Sequence, residues 1–503
     1  MRVSSFGFRV SSPPSRKAGP SSRWTDFTFR VSRFWFRVPA AVVVLLGAIG
    51  MVGMVGAFGQ GAGGSGQQAG GIWQGELENG MKVVVKEDAR FPLVAIELVI
   101  KGGSAAELPG EGAAAHFVEH MIFRATKGRG AASGQWPGAT EEDLGETVEA
   151  LGGQIDAGTL RDYSHYYTTV LDSHWEEALG RLARAVKAPA INAGEVEVER
   201  SVMVTEAEEL FSGREQTLSD AMFGVAFNGQ PYGGAPWGEK AGLAGMTAQV
   251  LRGYWRRVYV PADALLVIVG NVKKEEAMEA ARREFGDWEK VESQGSSAPS
   301  KKAHPSFRWT EVESLLYAGP GSPVEVSLPY GGEGSLAGVG FVVPGAGDWG
   351  DVAALDVLYA MLGEGEKSRL NVGIRDEGRG VKQVGCEFLT QRGPGLFCLW
   401  AQGEKGHGKE MAEALMGEAG RLSGEVAGTE EVERAKRIVK GSYAFSRETL
   451  GGEAKAVGFY GALGEPGMAE DYGSWIDSVT PEDIHRVCQR YLDMMRRTVV
   501  VME

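Results

Sequence analysis

The chain has 503 residues, 43% of them apolar, with 74 glycines and three cysteines, enough for two or three ordinary domains. That excludes a disulfide-stapled miniprotein and a fully disordered or collagen-like chain. The net charge is −14, but the first 40 residues carry eight basic side chains and one acid, a net +7 that leaves −21 for the rest. A body so acidic excludes broad contact with nucleic-acid phosphates.

The basic start leads into Val38 to Phe58, an apolar run without charge, and then into Gly59 to Gly71, built almost wholly of Gly, Gln, Ala and Ser. Residues 1–71 therefore read as an export signal, cut near Val55 to Ala57, or as a single membrane anchor, followed by a flexible spacer. The expected location is outside the cytoplasm, in a bacterial periplasm or tethered to the membrane facing it.

Strands are expected at Met81 to Lys86 and Leu93 to Ile100 from their Val and Ile content, and a β segment of hairpin length at Gln154 to Leu171. Helical periodicity covers the stretch around His116, Glu141 to Leu151, His174 to Val186, and one long run from Glu195 to about Met222. The first half closes with a helix over Ala248 to Tyr259, the strand Leu265 to Val269, and a helix over Glu275 to Phe285. From Val291 the composition turns to Ser, Pro, Gly and Lys, which reads as a linker over 291–310 between a unit at 72–290 and another at 311–503.

The two units end alike. Thr247 to Tyr259 precedes Leu265 to Val269, and Thr480 to Tyr491 precedes Thr498 to Val501. The expected fold class is α+β, two related α/β sandwiches, each a mixed or antiparallel sheet flanked by helices.

Only seven histidines occur, yet two stand four apart with a glutamate beside the second: His116-Phe117-Val118-Glu119-His120. On a helix, i, i+3 and i+4 point into one space, so both imidazoles and the carboxylate converge. The flanking Ala113 to Ala115 and Met121 to Phe123 imply a buried helix, where three polar groups need partners. Two imidazoles suit zinc, and Glu119 is placed to act as a general base in hydrolysis. The order H-x-x-E-H is the inverse of the common zincin helix.

A third ligand is expected from the acidic helix that Asn192 caps. Spacing alone does not choose among Glu195, Glu197, Glu199, Glu206, Glu208 and Glu209, any of which also suits a solvated face.

The segment Gly112 to Phe123 together with Glu199-Arg200-Ser-Val-Met-Val-Thr-Glu206 resembles the pitrilysin/insulinase-type inverted zinc metallopeptidases, in particular the branch containing mitochondrial processing peptidase. Asn79 to Val83, Pro231-Tyr232-Gly233, Tyr259 to Gly270 and Ser368-Arg369-Leu370 resemble further landmarks, so the likeness runs from about Asn79 to the C-terminus. It implies one zinc ion per chain held by His116, His120 and Glu206, with Glu119 as base and Glu199 as supporting acid. It also implies a longer insertion than usual between His120 and Glu206, at Gly128 to Gly138.

Two departures stand out. Where that family has Asn-Ala on the strand that pairs with substrate backbone, this chain has Asp156-Ala157. Where the family supplies an arginine and, seven residues on, a tyrosine, this chain has Arg375 and Lys382. Relatives of this length form half of a clam-shaped chamber that a second subunit closes. The resemblance therefore implies a heterodimer whose partner brings the arginine and tyrosine, with a homodimer as the alternative. The function expected is an exported zinc endopeptidase cutting peptides or short unfolded polypeptides. A scaffold or peptide-capture subunit without catalysis is the rival reading.

Other signals are set aside. Gly403-x4-Gly408-Lys409 continues with Glu410, where a phosphate-binding loop needs Ser or Thr. His165, His174, His304, His407 and His485 have no partner at metal spacing. Cys386, Cys398 and Cys488 read as small buried apolar residues, with a bridge between Cys386 and Cys398 as the minor alternative.

Overall fold

The computed structural model describes residues 71–124, 143–212, 214–238, 240–289, 320–375 and 380–503. The expected signal or anchor with most of its spacer, the Gly128 to Gly138 insertion, His304 and the 291–310 linker lie outside the described residues. Among the described residues no helix is long and apolar enough to cross a membrane.

The first sheet holds β1 (Trp73–Glu76), β2 (Lys82–Glu87), β3 (Leu93–Lys101), β4 (Gln154–Thr159), β5 (Tyr163–Leu171) and β6 (Ala264–Gly270), in the order β1-β2-β6-β3-β5-β4. The second holds β7 (Val324–Leu328), β8 (Ser335–Val343), β9 (Val381–Phe388), β10 (Gly395–Gly403) and β11 (Thr498–Met502), in the order β7-β11-β8-β10-β9. Apart from β1, the two sheets follow one path. In each, the first and last strands pair in parallel and the other neighbours are antiparallel. The closing helices α6 (Ala248–Val258) and α12 (Pro481–Tyr491) match too, each capped by a threonine side chain, Thr247 or Thr480. The repeat expected from the two endings extends through five strands of each sheet.

Helices α1 (Ala114–Phe123), α2 (Leu144–Ala150), α3 (Trp175–Lys187) and α7 (Lys274–Phe285) lie with the first sheet, and α8 (Trp349–Gly363), α9 (Gly408–Gly424) and α10 (Thr429–Ser446) with the second. A strand covered on both faces loses the alternation of apolar and polar residues. That is why β3 reads Leu-Val-Ala-Ile-Glu-Leu-Val-Ile and β6 is buried throughout.

The second face of each sheet is covered by a helix of the other unit. The run expected as one helix from Glu195 to Met222 is two, α4 (Ala193–Ser212) and α5 (Arg214–Ala226), with the poor helix former Gly213 between them in sequence. α5 leaves the first unit and packs on β8 and β11, with Leu218, Met222 and Phe223 in one cluster with Leu336, Leu396, Val500 and Met502. In return α11 (Leu450–Leu463), from the second unit, lies on β3, β5 and β6. A Cβ at its Gly461 would come within 2.2 Å of Leu265, so glycine permits the close approach.

Among the described residues all three cysteines are buried free thiols. Cys386 and Cys398 sit on neighbouring strands, but their strand partners are Leu399 and Glu387, not each other. The bridge between them is therefore not formed.

Candidate metal centre

Helix α1 places its side chains as the i, i+3, i+4 spacing requires. His116 and Glu119 are buried, and His120 lies one turn beyond His116. Ala113 precedes the helix with φ at 84° and supplies no side-chain cap. A carboxylate from upstream takes that role: Glu107 accepts from the N–H of Ala113 at 3.2 Å and from that of Ala115 at 2.9 Å.

Helix α4 crosses α1 and brings the third donor. Its start is fixed by Asn192, whose Oδ1 accepts from the N–H groups of Gly194 and Glu195, each at 3.1 Å. The Nε2 atoms of His116 and His120 are 3.2 Å apart, and a carboxylate oxygen of Glu206 lies 3.2 Å from His120 Nε2 and 3.9 Å from His116 Nε2. His116, His120 and Glu206 each offer one ligand atom, all within 4.8 Å of one another.

The donor set fits zinc. Ligands at zinc–nitrogen and zinc–oxygen distances of about 2.0–2.1 Å stand roughly 3.3 Å apart around a tetrahedron. Two facing imidazole nitrogens with a carboxylate between them form a poor protein-only network and a good ligand set.

The surrounding groups set each ligand's orientation and charge. His120 Nδ1 donates to Glu199 at 2.8 Å, which leaves Nε2 aimed at the centre. The other Glu199 oxygen is 3.3 Å from Arg124 Nε, and Arg124 also donates to Glu195 at 3.2 Å. Burial and the neighbouring His120 push His116 below its usual range and keep it neutral, the form that binds metal. Burial pulls His120 the same way, but the carboxylates of Glu199 and Glu206 prevail and hold it well above the usual range. A positive charge is therefore favoured at this place.

Glu119 stands beside the ligands and is held by Thr159, whose Oγ1 donates to its Oε2 at 2.7 Å. Thr159 ends β4, the outermost strand of the first sheet, paired on one side with β5. Asp156 and Ala157 lie on that strand. Asp156 turns its carboxylate onto its own chain, accepting from the Ala157 N–H at 3.0 Å, with Lys455 of α11 3.7 Å away.

Arg375 stands in the second unit. It ends a short helical turn of the second unit and donates to Glu366 at 2.8 Å, while Lys382 is exposed on β9. Sequence reasoning missed Arg124, Thr159 and Glu107. Arg124 follows the last residue of α1 in extended conformation, so the helical spacing does not point to it, and Thr159 has no local signal, because its partner is 40 residues away.

A family model described as insulinase (peptidase family M16) matches residues 82–237, and one described as peptidase M16 inactive domain matches residues 245–439. The chain is 27% identical over 321 residues to an uncharacterised zinc protease of Mycobacterium leprae, covering 63% of this chain and 66%, just under two thirds, of that one. It is 26% identical to a probable mitochondrial-processing peptidase subunit beta of Arabidopsis thaliana, over 83% of this chain and 75% of the relative. The fold is that of a protease from Helicobacter pylori, with a TM-score of 0.75 at 20% identity over 86% of this chain and 100% of that one. An M16 inactive-domain structure from Pseudomonas fluorescens gives 0.70 at 18% identity, over 86% and 97%. Two family models that together span most of the chain, one of them covering the inverted motif and the acidic helix, place it in the insulinase-type peptidase family M16.

Proposed function

We propose that the chain is a zinc-dependent endopeptidase that hydrolyses peptides or short unfolded polypeptides, with one zinc ion held by His116, His120 and Glu206. The convergence of these three donors beside a buried glutamate carries the reading. Zinc bound there supplies a Lewis acid that acidifies water and polarises a carbonyl.

The chain's own residues do the rest. Glu119 takes a proton from the attacking water and returns it to the leaving amine. Thr159 occupies one of its oxygens and leaves the other for that proton. Glu199 fixes the His120 tautomer and is itself braced by Arg124. An extended peptide adds to the free side of β4, the recognition mode that an outermost strand offers, and this runs its backbone past Glu119.

The likeness to a processing-peptidase beta subunit supports a second subunit closing a chamber over the site, with a heterodimer preferred because Lys382 stands where the family has tyrosine. The basic start and the apolar run after it support export. Quenched peptides incubated with the purified chain, alone and with any co-purifying subunit, before and after chelation and zinc return, test the proposal. Cleavage lost on chelation and restored by zinc supports it. Zinc bound without cleavage in either setting favours the capture or scaffold reading.

A further inference from the structure

Glu206 stands near the end of α4, and the next helix, α5, belongs by packing to the other unit. Met222 of α5 is fully buried over β8, where a Cβ at Gly338 would lie 2.7 Å from its sulfur and one at Gly340 2.5 Å from its methyl carbon. Ser219 donates to Glu387 of β9 at 3.0 Å. Phe223 lies under the Arg161 guanidinium at 3.7 Å, and Arg161 donates to the carbonyl of Tyr232 at 2.9 Å. The Tyr232 hydroxyl donates to Asp162 and accepts the N–H of Gly393, while Asp162 also accepts the N–H of Arg392 at 2.8 Å.

We propose that the second unit positions the third zinc ligand: its sheet seats α5 through Met222, Gly338 and Gly340, and α5 sets the register of α4 and so the reach of Glu206. This rests on the zinc reading above. The unit that carries none of the three ligands is then a part of the metal site.

The fold supplies its own control. α11 makes the reciprocal crossing onto the first sheet through Gly458 and Gly461, but it is joined to no ligand helix. A Cβ at Gly458 would come 2.9 Å from Glu97, a crowding comparable to that under Met222. Both crossings can be disturbed alike, and only one of them leads to Glu206.

The test is zinc affinity of the full chain, stripped of metal and titrated against a chromophoric chelator, for wild type, Gly338→Ala with Gly340→Ala, and Gly458→Ala with Gly461→Ala. Melting temperature is read in parallel. The proposal expects both pairs to melt lower, with zinc affinity down about tenfold, the size of a lost orienting contact, in the α5 pair alone. Equal loss in both pairs, or none in the α5 pair, overturns it. If the α5 pair fails to fold, Ser219→Ala decides: a two- to fivefold weaker zinc affinity, about one hydrogen bond, supports the proposal, and an unchanged affinity overturns it. A wild-type chain that takes up no zinc overturns the zinc reading itself, and the proposal with it.

Discussion

His120 and Glu199 are joined by a 2.8 Å hydrogen bond that turns the far ring nitrogen of His120 toward His116 and Glu206. With zinc bound as proposed, Glu199 would act on it through His120, and its loss should be felt in metal binding. Glu199→Gln is expected to weaken zinc about 10- to 100-fold in chelator competition, with the melting temperature of the metal-free chain little changed. An unchanged affinity would show that Glu199 is only a buried partner.

Glu119→Gln separates binding from chemistry. The amide keeps the shape and can still meet Thr159, but it takes no proton. Zinc content should stay at one per chain while kcat falls by about 10²- to 10⁴-fold.

Glu107 supplies the cap that Ala113 lacks. Glu107→Ala should cost about 1–2 kcal/mol, the usual worth of a helix cap, seen as a lower melting temperature, with Glu107→Gln milder. The loss should appear with and without zinc, since the cap holds the backbone of α1 and touches no ligand.

Asp156 accepts the Ala157 N–H, and on the proposed addition of a peptide strand to β4 it competes with the substrate for that donor. Asp156→Asn offers a weaker acceptor and an added donor, as the resemblance to the family prescribes. KM for peptides should fall about 2- to 10-fold, the worth of one hydrogen bond, with kcat steady. A raised KM would mean that the carboxylate recognises something on the substrate.

Asp356, far in sequence from the metal residues, reports on the second unit. Burial pushes its carboxyl up to about 7, against the hydrogen bond from the Tyr472 hydroxyl. A carboxyl raised in the folded state adds stability in full below its unfolded value near 3.9, and that stability is lost as pH rises through about 7. Asp356→Asn should remove this slope: the wild type loses stability relative to the variant between about pH 4 and pH 7, at up to about 1.4 kcal/mol per unit. Parallel melting curves across that range would contradict it.

The sequence made the inverted motif legible because four residues on a helix is a geometric statement by itself. It did not single out Glu206, since six glutamates within 15 residues all suit a solvated face, and only the resemblance chose among them. The closing helix and strand of each unit exposed the repeat, for Thr247 and Thr480 start equivalent helices before equivalent strands. The exchange of α5 and α11 stayed hidden. Leu218, Met222 and Phe223 announce a buried helix face, but periodicity carries no information on which sheet buries it. Arg161 and Asp162 carried no signal of their own within the β segment Gln154 to Leu171, because their contacts with Tyr232 and with Arg392 span 70 to 230 residues.

The most direct test of the account is zinc content by mass spectrometry on the purified full chain, beside peptide cleavage by the same preparation and by Glu119→Gln. The account predicts one zinc per chain in both proteins, and cleavage, with the second subunit where it is required, in the wild type alone. Absence of zinc from the wild type, or equal cleavage by the Glu119→Gln chain, would contradict it.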